Sequence, residues 1–193
     1  MSSEQQSLFS VAELKSARYG TPVEQLPMSA ATLQAWQQRV HRFQQQVIVH
    51  AIPEQGSLFS SDPTPAEVAE SIDPFGLPPL NTEFWRWQVE DAGVAAYYFV
   101  VDHHWPIVLY IGETVKSNQR WKGEHDCKRY IDNYIAAHRR WDLPCAVRIA
   151  FFHWAPTATR PRQQLETALI HRWKAPFNKQ NWHFWSTPFI GEK

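Results

Sequence analysis

The 193-residue chain balances 19 Lys and Arg against 19 Asp and Glu, and 44% of it is hydrophobic, with ten Trp and eleven Phe. That is ample material for the core of one ordinary domain with an extension, while no apolar run approaches the roughly 20 residues of a membrane-spanning helix. Cys127 and Cys145 are too few for a disulfide scaffold or a zinc cluster and read as reduced, buried thiols; the first residues lack the basic and apolar regions of a secretory signal, so a cytoplasmic location is expected.

The neutral total hides an asymmetry. Residues 1–81 carry four Lys and Arg against eight Asp and Glu, whereas residues 82–193 carry fifteen against eleven. Over 116–179 the count is thirteen basic to five acidic. A basic second half leashed to an acidic extension fits a polyanionic partner, and a solvated surface with a chance excess is the bland alternative.

In chain order, residues 1–28 are polar, contain Pro22 and Pro27, and read as a flexible segment with at most a short helix over 10–18. Residues 29–50 predict an amphipathic helix. Leu33, Trp36, Val40, Phe43 and Val47 recur at three- and four-residue steps on one face, Ser29 is a plausible N-cap, and the opposite face is rich in Gln. Such a stripe more often docks on the protein's own core than forms a dimer seam. Residues 51–81 read as a Pro-rich linker that leaves room for one short helix over 65–72.

From 82 to 193 the composition turns aromatic and basic, and the main domain is placed there. Strands are expected over 94–101 and 106–111, joined in a hairpin through Asp102-His103-His104-Trp105. A helix over 117–140, a third strand over 146–154 and a helix over 161–173, stopped by Ala175-Pro176, complete the order. This predicts a small α/β (α+β) domain with a mainly antiparallel three-stranded sheet flanked by helices, plus the helical N-terminal extension.

Within this domain stand Tyr110-Ile111-Gly112, and Tyr98 at the end of Ala96-Tyr97-Tyr98, with eleven residues between the two tyrosines. Arg120 follows Tyr110 by ten residues, Glu166 lies in the second helix, and Asn178 closes Ala175-Pro176-Phe177-Asn178. Across about residues 92–182 this ordered set resembles the GIY-YIG nuclease superfamily. The resemblance implies catalytic roles for Tyr98, Tyr110, Arg120, His125 and Glu166, metal binding by Glu166, and support from Gly112, Lys116 and Asn178. Two departures stand out: Ala96 and Tyr97 replace the usual Gly and Ile, and His125 follows Arg120 by five residues where the family's histidine usually follows by four.

The chemistry runs parallel to the resemblance. Phosphodiester hydrolysis develops negative charge, which a carboxylate-held Mg²⁺ or Mn²⁺ and a guanidinium can stabilise. Glu166 is the only acid in 143–191, and a single carboxylate leaves most of the ion's shell to water and phosphate oxygens. Arg120 would grip the phosphate bidentately, as Lys cannot. Either phenol could orient or deprotonate the attacking water. With an ordinary pKa of about 10 that phenol needs a nearby cation or metal, and Lys116 or His125 could help. Lys122, Lys128, Arg129, Arg139 and Arg140 are candidate DNA phosphate contacts. Trp105, Trp121 and Trp182 could stack on unpaired bases, though core packing is the commoner fate, and His103 and His104 stand at the hairpin tip.

One peptide recurs in the extension, as Gln5-Gln6-Ser7-Leu8-Phe9 and Gln55-Gly56-Ser57-Leu58-Phe59. Both copies resemble the bacterial sliding-clamp-binding peptide, in which Leu8, Phe9, Leu58 and Phe59 would enter an apolar pocket while Gln5 and Gln55 set the register. The function expected is therefore a metal-dependent DNA endonuclease of repair or replication, tethered to the clamp. The alternatives are a non-cleaving nucleic-acid or clamp-binding module, and a restriction endonuclease whose extension supplies dimerisation or site recognition.

Overall fold

In the computed structural model the first helix, α1 (Ala30–Gln44), starts where Ser29 takes an extended backbone and its side chain accepts the Thr32 N–H at 3.1 Å. That satisfies one of the orphan donors every helix N-terminus carries. Residues 28–50, 63–81, 94–115 and 126–189 are described. The expected helix over 10–18, both clamp-like peptides (Gln5, Leu8, Phe9 and Gln55, Leu58, Phe59), and Lys116, Arg120, Trp121, Lys122 and His125 lie outside the described residues.

Leu33, Trp36 and Val40 are buried in the protein's own core, the fate expected of the stripe. The helix nevertheless ends at Gln44 rather than at 50. Val47-Ile48-Val49 is a β-branched run that loses side-chain freedom in a helix, and the Gln44 amide is committed elsewhere. It donates to the carbonyls of Val108 (3.0 Å) and Trp173 (2.8 Å) and accepts the Val108 N–H at 2.7 Å. The expected outward Gln face is therefore only partly outward, since Gln37 and Gln44 are both buried.

Part of the segment read as a linker folds onto the domain. Helix α2 (Pro65–Ser71) begins with a capping box between Thr64 and Glu67 and carries Pro at its first turn, both standard N-terminal signals. His50 N–H donates to the Glu70 carbonyl at 2.9 Å, drawing the chain after α1 against this helix. Strand β1 (Pro79–Leu80) then pairs antiparallel with β4 (Val147–Phe152), Pro79 opposite Ala150. Proline is tolerated because this is an edge strand, where a missing N–H breaks nothing.

Strands β2 (Ala96–Asp102) and β3 (Ile107–Thr114) form the expected hairpin, and the sheet order is β1-β4-β2-β3, antiparallel throughout. The sheet thus has four strands where three were expected. The central strand β2 is buried along its whole length. Tyr98 and Val100 face α1 and α3 (Asp126–Arg140), whereas Tyr97, Phe99 and Val101 face α2 and α4 (Thr159–Trp173). This is a three-layer α+β architecture with two apolar clusters, one on each sheet face. A 3₁₀ turn (Lys179–Asn181) and a short α5 (Trp182–Trp185) complete five helices among the described residues. No helix among those residues is long and apolar enough to cross a membrane.

The free edge, β3, is capped by two side-chain amides and one backbone N–H rather than by another strand. Beside the Gln44 clamp on Val108, the Phe177 N–H donates to the Leu109 carbonyl at 2.9 Å. Asn178 then accepts the Ile111 N–H at 2.9 Å and donates to the Ile111 carbonyl at 2.7 Å. A register shift between Val100 and Val101 bends the hairpin at this level. Together these devices leave little edge for another chain to extend.

Candidate active site at the free edge of the sheet

Strand register brings the two expected tyrosines together. Tyr98 lies opposite Gly112 and Val100 opposite Tyr110, so Tyr98 and Tyr110 share one sheet face as diagonal neighbours. Their rings stack at 5.9 Å between centroids with 29° between planes. Gly112 makes this possible, because a Cβ there would collide with the Tyr98 phenol. The tripeptide's glycine serves a close approach of a ring, not a special backbone angle.

Tyr110 lines a cavity of about 300 Å³ together with Cys127 and Tyr130 of α3, Glu166 and Ile170 of α4, and Phe177, Asn178, Lys179 and Gln180 beyond α4. Glu166 also lines a second cavity of about 320 Å³, with Glu113, Thr114, Val115 and Arg162. It is the one carboxylate common to both. It rises from the helix on one face of the sheet and, past the capped edge of β3, borders the cavity of the phenol on the other face. The chain then reverses through Lys174, which is left-handed (φ 47°) with its N–H bonded to the Ile170 carbonyl at 3.0 Å, and delivers Asn178 to Ile111.

Electrostatics at the phenols run against easy deprotonation. Burial pushes Tyr110 well above its ordinary range, and the neighbouring Tyr98, Cys127 and Glu166 push the same way. Tyr97 is also pushed up, first by burial, partly offset by Arg162, with Glu166 and Glu113 adding to the rise. Among the described residues no resolved influence lowers Tyr110.

Three contributors escaped sequence reading. Arg162 is buried, bonds Glu113 through Nε, and donates from Nη1 to the carbonyls of Pro156 (3.1 Å) and Thr157 (2.7 Å). It ties the end of β3 to the first turn of α4, one helical turn before Glu166. The signals were present: Glu113 follows Gly112 directly, and Arg162 precedes Glu166 by four residues. Lys179, beside Asn178, lines the first cavity and stands 5.9 Å over the Trp182 ring.

The expected DNA-contacting cations divide. Lys128 and Arg129 lie on the first turn of α3, next to Cys127 and Tyr130 of the cavity, and burial holds Lys128 below its ordinary value. Arg139 and Arg140 are exposed at the far end of α3, about 18 Å away at 1.5 Å per residue. His103 and His104 stand in the turn at the opposite end of the hairpin. Trp182 is half-buried, bonding the Phe177 carbonyl at 3.2 Å and meeting the Tyr130 ring edge-on, and half-buried Trp105 meets His41. No α1 residue lines either cavity.

One trio of metal-capable side chains among the described residues could hold an ion: Asp102, His138 and Cys145, with donor atoms within 4.8 Å of one another. It lies at the hairpin-turn end of the sheet, and its donors are engaged. Asp102 accepts from the N–H groups of His104 (2.9 Å) and Ala146 (3.0 Å) and from the Tyr134 hydroxyl (2.7 Å). His138 bonds the Tyr134 carbonyl through Nδ1 at 2.7 Å and meets the Gln37 amide through Nε2 at 2.9 Å. The Cys145 thiol is pushed up to about 12, chiefly by burial and then by Asp102. With a reluctant thiol and satisfied partners, the cluster serves as a polar core that pins α1 and α3 to the hairpin.

Comparison with protein-family models, curated proteins and solved structures finds no match for this chain.

Proposed function

We propose that the chain is a metal-dependent DNA endonuclease of the GIY-YIG kind. One observation carries this: Tyr110 and Glu166, distant in sequence, line the same cavity at the sheet edge, with the Tyr98 ring stacked on the first. The basic balance of residues 116–179 supports a polyanionic substrate.

Glu166 is the residue that would hold Mg²⁺ or Mn²⁺. A hard carboxylate oxygen suits either ion, and the other carboxylate nearby, Glu113, is held by Arg162. Such an ion supplies Lewis acidity at the phosphoryl oxygens and leaving alkoxide. Tyr110 orients the attacking water, and the Tyr98 ring stacked on it holds that phenol in place. Lys179 adds positive charge to the cavity wall, and the resemblance assigns the scissile phosphate to Arg120.

The test is incubation of plasmid, branched and flapped DNA with the protein and Mg²⁺ or Mn²⁺. Cleavage by the wild type should fall by at least about 100-fold in Glu166→Gln and Tyr110→Phe. Undiminished cutting in Glu166→Gln would remove the site assignment. Discrete sequence-specific fragments would point to a restriction enzyme, and salt-sensitive binding without cleavage to a binding module.

A further inference from the structure

We infer that Trp154 is a stacking platform for an unpaired base, so that the cleft takes a strand with a single-stranded or splayed nucleotide near the cut. This deepens the nuclease reading and rests on it. Trp154 is 83% exposed, the most exposed of the large hydrophobic side chains among the described residues. Its orientation is set by an edge-to-face contact with Phe152, 5.6 Å between centroids at 77°. Phe152 in turn stacks on Tyr97 at 6.5 Å, and Tyr97 lies opposite Glu113. A row of rings thus runs along one sheet face from Trp154 to the second Glu166 cavity. Only β2 separates β4 from β3, so the lateral distance is about 10 Å. From Trp154 the chain passes to Pro156 and Thr157, whose carbonyls hold Arg162 in that cavity's wall.

The choice of occupant follows from charge and area. Arg160, beyond this loop, is exposed, and between residues 143 and 189 six Lys and Arg stand against one acid, Glu166, while Glu113 of β3 is paired with Arg162 at the cavity. One indole offers roughly 200 Å², far below the ~800 Å² per partner of a stable protein interface. A flat aromatic face on a basic segment, near a cavity of about 320 Å³, matches single-stranded nucleic acid, where every base has a π-face to offer.

Fluorescence anisotropy of labelled oligonucleotides, without divalent metal, tests this on the full chain. Trp154→Ala should weaken binding of a single strand and of a 5′- or 3′-flapped duplex by about 10-fold or more, leave a blunt duplex within about twofold, and melt like the wild type; Trp154→Phe should restore most of the loss. Equal losses on all three DNAs, or none on any, would overturn the platform. Cleavage measured alongside separates the two claims. Glu166-dependent cutting untouched by Trp154→Ala leaves the nuclease and removes the platform. Trp154-dependent single-strand binding without cutting leaves the platform and removes the nuclease.

Discussion

Gly112 is where a missing carbon decides the geometry of the site. A methyl there would occupy the space of the Tyr98 phenol, so Gly112→Ala must displace a ring that is itself buried and stacked on Tyr110. Overpacking of this kind costs about 1–3 kcal/mol, and at roughly 2–4 °C per kcal/mol for a chain of this size the melting temperature should fall by several degrees. Calorimetry decides it, and an unchanged melt would mean that the ring does not cross the glycine. Tyr98, Tyr110, Gly112, Glu166 and Asn178 were legible in the sequence because each is a distinctive residue at a distinctive interval. Arg162, Glu113 and Lys179 were not, because a charged residue on a helix or strand looks the same whether it faces water or a partner.

At the scale of elements, α1 departs furthest from its reading as an extension. Its existence, start and the docking of its apolar stripe on the core were legible from Ser29 and the spacing of Leu33, Trp36 and Val40, but not the hydrogen bonds by which Gln37 and Gln44 tie it to α3 and the sheet. Those three side chains are buried, at about 1.5–3 kcal/mol each, and Gln37 and Gln44 complete hydrogen bonds for His138, Tyr134 and β3. The sum is comparable with the 5–15 kcal/mol that holds a whole domain folded. Residues 82–193 alone should therefore fail to fold cooperatively, as circular dichroism melting would show; a sharp transition from that fragment would contradict the assignment. β1 was missed for a related reason. Two residues, one of them Pro, carry no strand pattern, and only the exposed edge of β4 makes them a strand.

The whole molecule hides titratable groups in its aromatic core, and this predicts its response to alkali. Burial raises Tyr97, Tyr110 and Tyr134, the last also through Asp102, and lifts Cys145 to about 12. Unfolded, the phenols would ionise near pH 10 and the thiol near 8.5. Each folded value lies above its unfolded one, so the stability these groups contribute is fully present below about pH 8.5. It is lost as the pH rises through 10 and beyond, where only the unfolded chain gives up its protons readily. Melting temperature should hold level to about pH 8.5 and then fall, with phenolate absorbance from the buried tyrosines appearing together with unfolding. Smooth titration of all six tyrosines near pH 10 in a chain that stays folded would refute this.

By itself the sequence determined the succession of the main elements (though not β1 or α5), the antiparallel hairpin, the N-cap of α1 and the residue types assembled for chemistry, because periodicity, capping and turn residues act over a few positions along the chain. Tertiary structure alone decided that Glu166 borders the cavity of Tyr110, that side-chain amides seal β3, that Arg162 answers Glu113, and that Trp154 stands bare against Phe152. Those outcomes depend on the register between strands and on which helix covers which face, and both are settled by the packing of residues too far apart in the chain for any local pattern to record.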